Sequence, residues 1–349
     1  MKKKMLRKTS GSILAFWTLS VLALGLVTSC ESVLFIELEE GERLIVLNGA
    51  VSNDSLFEVQ LSRTRHILDN ASLAPLEAAA VTVYRGGDQV AQLDYLGNGI
   101  YGSASFRPSA GQEYRVAVQS EGLPDAEART TIPPSVPILR VDTSSVYEME
   151  EYWDWSYTWG TFSMDVHLED PPGEENFYLV SMATERSYTT WRDTTVLVLD
   201  SLFQNGIWYP YVKDSTYAIA DIYRFREGSG LNSEDLIVEA NTSAGILFSD
   251  QLIDGKAYSV RVSLPTDYLT SADSAVSELR LHSISEDYYK YLKSRQKHYE
   301  AVDDFLAVPV IVYSNVDGGT GFFGGFSTDV HTFTTFVPEY RWDYYYYDK

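Results

Sequence analysis

Eleven residues near the C-terminus, Asn315 to Gly325, carry five glycines: Gly318, Gly319, Gly321, Gly324 and Gly325. Glycine lets successive backbone N–H groups converge, so such a run can cradle an anion. It lacks the Lys-Ser/Thr ending that a nucleotide phosphate loop requires. Asn315 and Asp317 could supply oxygen ligands for calcium, but no Asp-x-Asp-x-Asp series with a distal glutamate accompanies them. The favoured reading of Asn315, Asp317, Gly318, Gly319 and Gly321 is a tight structural turn in which the backbone passes close to a neighbour. A second candidate is aromatic: Trp153, Trp155, Tyr157 and Trp159 alternate with Asp154, Ser156 and Thr158. On a strand the four rings share one face. Exposed, that face would stack on sugars or anchor a partner; turned inward, it is core, and period-two aromatics favour core. For the C-terminal stretch Tyr340 to Tyr347, with Trp342, the choice is between edge strand, frayed end and docking peptide, and its terminal position favours fraying or docking.

Catalytic signals are weak. The histidines, His66, His167, His282, His298 and His331, have no ligand-pair spacing. There is no Gly-x-Ser-x-Gly elbow, and carboxylate pairs cannot be told from surface charge in a sequence alone. The single cysteine, Cys30, excludes an intramolecular disulfide and Cys-rich zinc sites. The expectation is a non-enzyme without cofactor or bound metal, calcium being the one ion its acidic character leaves open.

Cys30 has another use. Lys2, Lys3, Lys4, Arg7 and Lys8 precede an apolar run of 15 residues, Ile13 to Val27, which is short for a membrane span. The run ends in Val27-Thr28-Ser29-Cys30, which resembles the lipobox of bacterial lipoproteins. That resemblance implies cleavage of residues 1–29 and lipidation of Cys30, with a tether over 30–41. Acyl chains would make the anchoring effectively permanent. Losing the leader leaves 22 basic against 49 acidic residues, so net charge moves from -22 to -27. Such a surface repels phosphate backbones, which argues against nucleic acid as a partner. Glu31 directly after Cys30 resembles, in part, a surface-export signal of Bacteroidota lipoproteins. It favours the cell-surface leaflet of the outer membrane over the periplasmic one.

The full chain, 349 residues and 45% hydrophobic, is long enough for two cores. From Glu42 to Ile132, a compact apolar run at Leu44–Leu47, an alternating one at Leu56–Ser62 and further short runs at Ala80–Tyr84, Gln89–Asp94, Gly99–Phe106 and Tyr114–Gln119 predict strands. Gly86-Gly87 and Gly97-Asn98-Gly99 provide turns between them. Their spacing suits an immunoglobulin-like β-sandwich over 42–133. Pro133, Pro134 and Pro137 mark a boundary. A larger β domain over 136–349 follows, with strands expected at Thr161–Leu168, Phe177–Ala183, Val196–Leu199, Tyr217–Tyr223, Tyr258–Leu264 and Val330–Val337. A looser stretch between Glu185 and Lys213 suggests a long hairpin or insertion. One amphipathic helix is expected near 285–302, capped by Ser283 or Ser285, with Tyr288, Leu292, Arg295 and Tyr299 as its stripe. The fold class is therefore mainly β with one helix.

These residues resemble a known family. Glu42-Arg43-Leu44-Ile45-Val46, Ala80-Val81-Thr82-Val83, Gly99-Ile100-Tyr101 and Gly111-Gln112-Glu113-Tyr114-Arg115-Val116 are similar to the Bacteroidota outer-membrane lipoprotein family called domain of unknown function 4249. The likeness continues through Asp170-Pro171-Pro172-Gly173-Glu174-Glu175-Asn176-Phe177-Tyr178, Phe248-Ser249-Asp250, Ser285-Glu286-Asp287-Tyr288-Tyr289 and the run Ser314 to Gly325. The resemblance implies an outer-membrane lipoprotein commonly encoded beside TonB-dependent receptors. It points to a non-enzymatic accessory or binding subunit of such a receptor or surface complex. The alternative is a free-standing adhesin or glycan-binding module using the aromatic platform.

Overall fold

The computed structural model describes residues 42–65, 74–151, 156–204, 207–266, 274–302 and 307–336; within strands, the side chains of 147–151, 156–159, 191–220, 227, 229, 335 and 336 lie outside that description. The architecture is mainly β, with one α-helix among the described residues.

Seven strands open the fold: β1 (Ile45–Ser52), β2 (Glu58–Arg63), β3 (Ala80–Arg85), β4 (Asp88–Gly97), β5 (Ile100–Gly102), β6 (Glu113–Gln119) and β7 (Ala126–Thr131). Alternation decides their faces: in β6, Tyr114, Val116 and Val118 are buried while Arg115, Ala117 and Gln119 point away from the core. Strand β4 pairs with β3 through its first half and with β5 through its second, so it carries the sheet from one layer to the other. Asn98, at φ 51°, takes a left-handed conformation in the turn that follows, as the Gly-Asn-Gly sequence predicts. Strand β7 has no counterpart in the sequence expectations. Its core positions are the small residues Ala126 and Ala128, which give little hydrophobic signal.

Ten strands and the helix follow: β8 (Arg140–Glu151), β9 (Ser156–Glu169), β10 (Phe177–Gln204), β11 (Ile207–Ser229), β12 (Val238–Thr242), β13 (Gly245–Ser249), β14 (Ala257–Pro265), β15 (Ser274–Ile284), helix α1 (Glu286–Val302), β16 (Val316–Asp317) and β17 (Thr320–Phe336). A three-stranded sheet, β14-β9-β8, lies over the sheet containing β13, β10 and β15. Between them Met164, Val166, Leu168, Val260 and Val262 meet Tyr178, Val180, Phe248, Leu279 and Leu281 in one buried cluster. Burying each such side chain contributes roughly 1.5–3 kcal/mol relative to exposure. Helix α1 covers the opposite face, where Tyr289 and Leu292 pack on Phe177, Leu179, Leu247 and Ile284.

Two expectations need correction. Phe177–Ala183 and Val196–Leu199 are not separate strands but parts of one, because no glycine or proline interrupts the chain from Phe177 to Gln204. Tyr299, expected on the buried helix stripe, is 55% exposed, and Tyr289 takes the buried position. Of the two serines considered as cap, Ser285 is the one: its Oγ accepts from the Tyr288 N–H at 3.3 Å, and its carbonyl accepts from Tyr289. Ser283 lies buried in β15.

Strand β17 joins the two cores. Its first part runs parallel to β1, from Val46 opposite Thr320 to Ser52 opposite Phe326. Its second part runs antiparallel to β15, from Ile284 opposite Phe326 to Ser274 opposite Phe336. Val316 and Phe323, near the far end of the sequence, thus belong to the core made by β1 to β7.

Candidate functional site

The glycine-rich segment is built into that junction. Asn315 clamps it: its Oδ1 accepts from the Phe323 N–H at 2.9 Å, and its Nδ2 donates to the carbonyls of Phe323 at 2.8 Å and Arg129 at 3.2 Å. A Cβ on Gly321, at φ +114°, would stand 2.1 Å from the Leu47 carbonyl oxygen. One on Gly318, at φ +68°, would stand 2.2 Å from the Asp125 oxygen. Both positions combine a left-handed backbone with strand-to-strand contact that only glycine permits. These glycines let β17 and its turn press against β1 and β7, and Gly319 lies in the same turn.

The turn also forms the rim of a cavity of about 430 Å³ on the outer face of β3, β6 and β7. Thr82 and Ala117 form its low floor, and Tyr84, Arg115, Gln119, Asp125, Glu127 and Asp317 stand around it. The Arg115 guanidinium lies 4.0 Å from the Tyr84 ring centroid and donates to Glu127 at 2.8 Å. Arg129 takes the other Glu127 oxygen at 3.0 Å. These two guanidinium bonds, that of Arg129 first, hold the Glu127 carboxyl below its ordinary pKa.

Two polar groupings lie elsewhere. Asp170, Asp250 and Asp254 bring ligand oxygens within 4.8 Å of one another, an oxygen set of the hard kind that calcium takes. Asp170 is 1% exposed and Asp250 3%. The Tyr178 hydroxyl donates to Asp170 at 2.5 Å, and the Gly255 N–H donates to its other oxygen at 3.0 Å. The Asn176 N–H donates to Asp250 at 2.8 Å and the Gly173 N–H to Asp254 at 2.9 Å. Burial raises the Asp250 pKa, and the Asp170 charge adds to it. The carboxylates thereby tie the Pro171–Pro172 turn to the turn after β13. No local sequence signal links the two segments, because about 80 residues separate them.

The second grouping spans three strands on the helix-side face. Ser181 Oγ lies 2.8 Å from His282 Nε2, and Thr328 Oγ1 lies 2.8 Å from His282 Nδ1. Burial, followed by the Arg280 charge, lowers the His282 pKa to about 4, so the ring is neutral at physiological pH.

The β10–β11 hairpin is the most distinctive element. Its register runs without a shift from Met182 opposite Ser229 to Gln204 opposite Ile207. Strand β15 accompanies β10 only as far as Ser187, opposite Ser274. Among the described residues, no third strand flanks the 17 rungs from Tyr188 to Gln204. At about 3.3 Å per residue this arm is about 55 Å long. Near its base Ile222, Tyr223 and Phe225 are exposed. Sequence reading missed its best signal, the Asn205-Gly206 pair between the strands, which is the strongest short-range hairpin dipeptide.

Cys30, the leader, the tether, Trp153, Trp155 and the aromatic C-terminal stretch lie outside the described residues. Tyr157 and Trp159 fall on β9, in register with Glu150 and Glu148 of β8. No described helix is long and apolar enough to cross a membrane.

A family model described as Domain of unknown function (DUF4249) matches residues 31–332. The chain belongs to this family. No curated protein matches it. The DUF4249 match takes in the clamp, the cavity, the aspartate trio and the whole hairpin arm.

Proposed function

We propose that this DUF4249 protein is a non-enzymatic, lipid-anchored binding subunit at the outer membrane, on the cell-surface leaflet, which docks against a TonB-dependent receptor or similar surface complex. The observation that carries the reading is the arm. An isolated two-stranded ribbon is marginal in water, and its free edges offer unpaired N–H and C=O groups to another chain. A ribbon of about 55 Å therefore needs something to lie against. The apolar residues exposed at its base, Ile222, Tyr223 and Phe225, fit a contact surface better than a solvated one. Pro210 within β11 suits an edge strand, where a missing N–H costs no ladder bond.

The Ser181–His282 pair supports a non-enzymatic reading. It lies within a sheet, with Ser181 opposite Arg280 and the flanking Val180 and Met182 engaged in strand ladders. A Thr328 hydroxyl stands where a carboxylate would orient a catalytic imidazole.

The test is affinity purification of the tagged full chain from native outer membranes in mild detergent, beside a variant in which 189–221 is replaced by Asn-Gly. The proposal expects a large barrel protein in stoichiometric amount with the full chain and its loss with the variant. Recovery of the full chain alone, or equal recovery of the partner with both, overturns it.

A further inference from the structure

We infer that the cavity on the β3-β6-β7 face binds an amino sugar, a ring carrying a primary ammonium beside hydroxyls. Its volume, about 430 Å³, falls in the range of small-ligand sites. Its shape comes from side-chain size: Thr82 and Ala117, opposite each other in the β3–β6 register, leave a depression between taller neighbours. The walls are already organised. Arg115 is fixed by the Tyr84 ring beneath it and by Glu127, and Gln119 Nε2 donates to one Asp125 oxygen at 2.8 Å.

What remains unused is mostly acceptor. Among the described residues the Asp317 carboxylate and the Thr82 and Tyr84 hydroxyls take part in no hydrogen bond, and Asp125 Oδ1 and Gln119 Oε1 have none either. Arg115 and Arg129 both bind Glu127, and the Asp317 charge also acts on Arg129, but three carboxylates against two guanidiniums leave net negative charge toward Asp125 and Asp317. Such a cavity repels anions and selects a ligand rich in donors, with a cation at the Asp125–Asp317 end and hydroxyls toward Thr82, Tyr84 and Gln119. An amino sugar has that distribution. Asp317 and Gly318 thus face a cationic ligand, the reverse of the anion that glycines in a loop suggest.

The experiment titrates the full chain, purified in detergent, with glucosamine and separately with N-acetylglucosamine, followed by calorimetry. The inference expects saturable binding of glucosamine and at least about tenfold weaker binding of the N-acetyl form, which lacks the ammonium. Asp317→Asn, at an exposed position whose carboxylate makes no hydrogen bond among the described residues, should keep the fold and weaken glucosamine binding by about tenfold. Thr82→Trp, which fills the floor, should abolish it. Absence of saturable glucosamine binding, equal binding of the two sugars, or unchanged affinity in both variants overturns the inference.

Discussion

From Phe177 to Ser187, strand β10 pairs with β15 on one side and, except at Ser181, with β13 or β11 on the other, and has a packed face; from Tyr188 to Gln204 it has β11 alone among the described residues. The residue types hardly change along it, since both halves are rich in β-branched and aromatic side chains. What changes is the surroundings. Tyr178, Val180 and Met182 are held between two sheets, whereas Ile222, paired with Thr189 at the base of the arm, is 61% exposed. Strand propensity therefore explains that the hairpin forms, and burial explains where stability resides. The body is held by packing on its faces, whereas the described arm has only its own two strands, which under the proposed function a partner completes.

The largest expected effect tests the body at its tightest point. Gly321→Val adds a side chain at φ +114° against the Leu47 carbonyl, and should destabilise by about 4 kcal/mol or more in chemical denaturation. Phe248→Ala, in the core between the sheets, should cost about 3–5 kcal/mol. Ser285→Ala removes the helix cap and the acceptor of the Gly325 N–H, and should cost about 1–2 kcal/mol. Similar losses from arm substitutions would erase the contrast between body and arm.

A pH dependence should belong to the body as well. His282 has a folded pKa of about 4 against 6.5 when unfolded, so its contribution is fully present above 6.5 and is lost as pH falls toward 4. Melting temperature should drop over that window, and His282→Gln should flatten the drop. Asp250, whose pKa is raised, acts in the opposite sense: its contribution is present at low pH and lost as the carboxyl ionises. The smallest effect belongs to the arm, where Ile222→Ala should change stability by less than about 0.5 kcal/mol in the isolated protein. Its influence should appear in partner capture.

Much of this was legible in local pattern. Apart from β7, the strands of the first region, the helix and the loosened stretch around Glu185–Lys213 follow from period and turn chemistry. Strand β13 was hidden because every one of its five residues is buried, so it has no alternation to read. The candidate cavity was hidden for another reason. Tyr84, Arg115 and Asp317 meet only through β3–β6 and β7–β16 pairing, and no local signal encodes a register between residues about 190 apart. The same holds for β17, whose membership of both sheets depends on its parallel pairing with β1.

The most direct test of the central claim is amide hydrogen exchange on the full chain, alone and in the complex recovered from native membranes. The arm amides of 188–204 and 207–223 should exchange quickly in the isolated chain while those of 177–183 stay protected, and the complex should protect the arm. Unchanged exchange in the arm, with new protection appearing only on the body, would contradict the account.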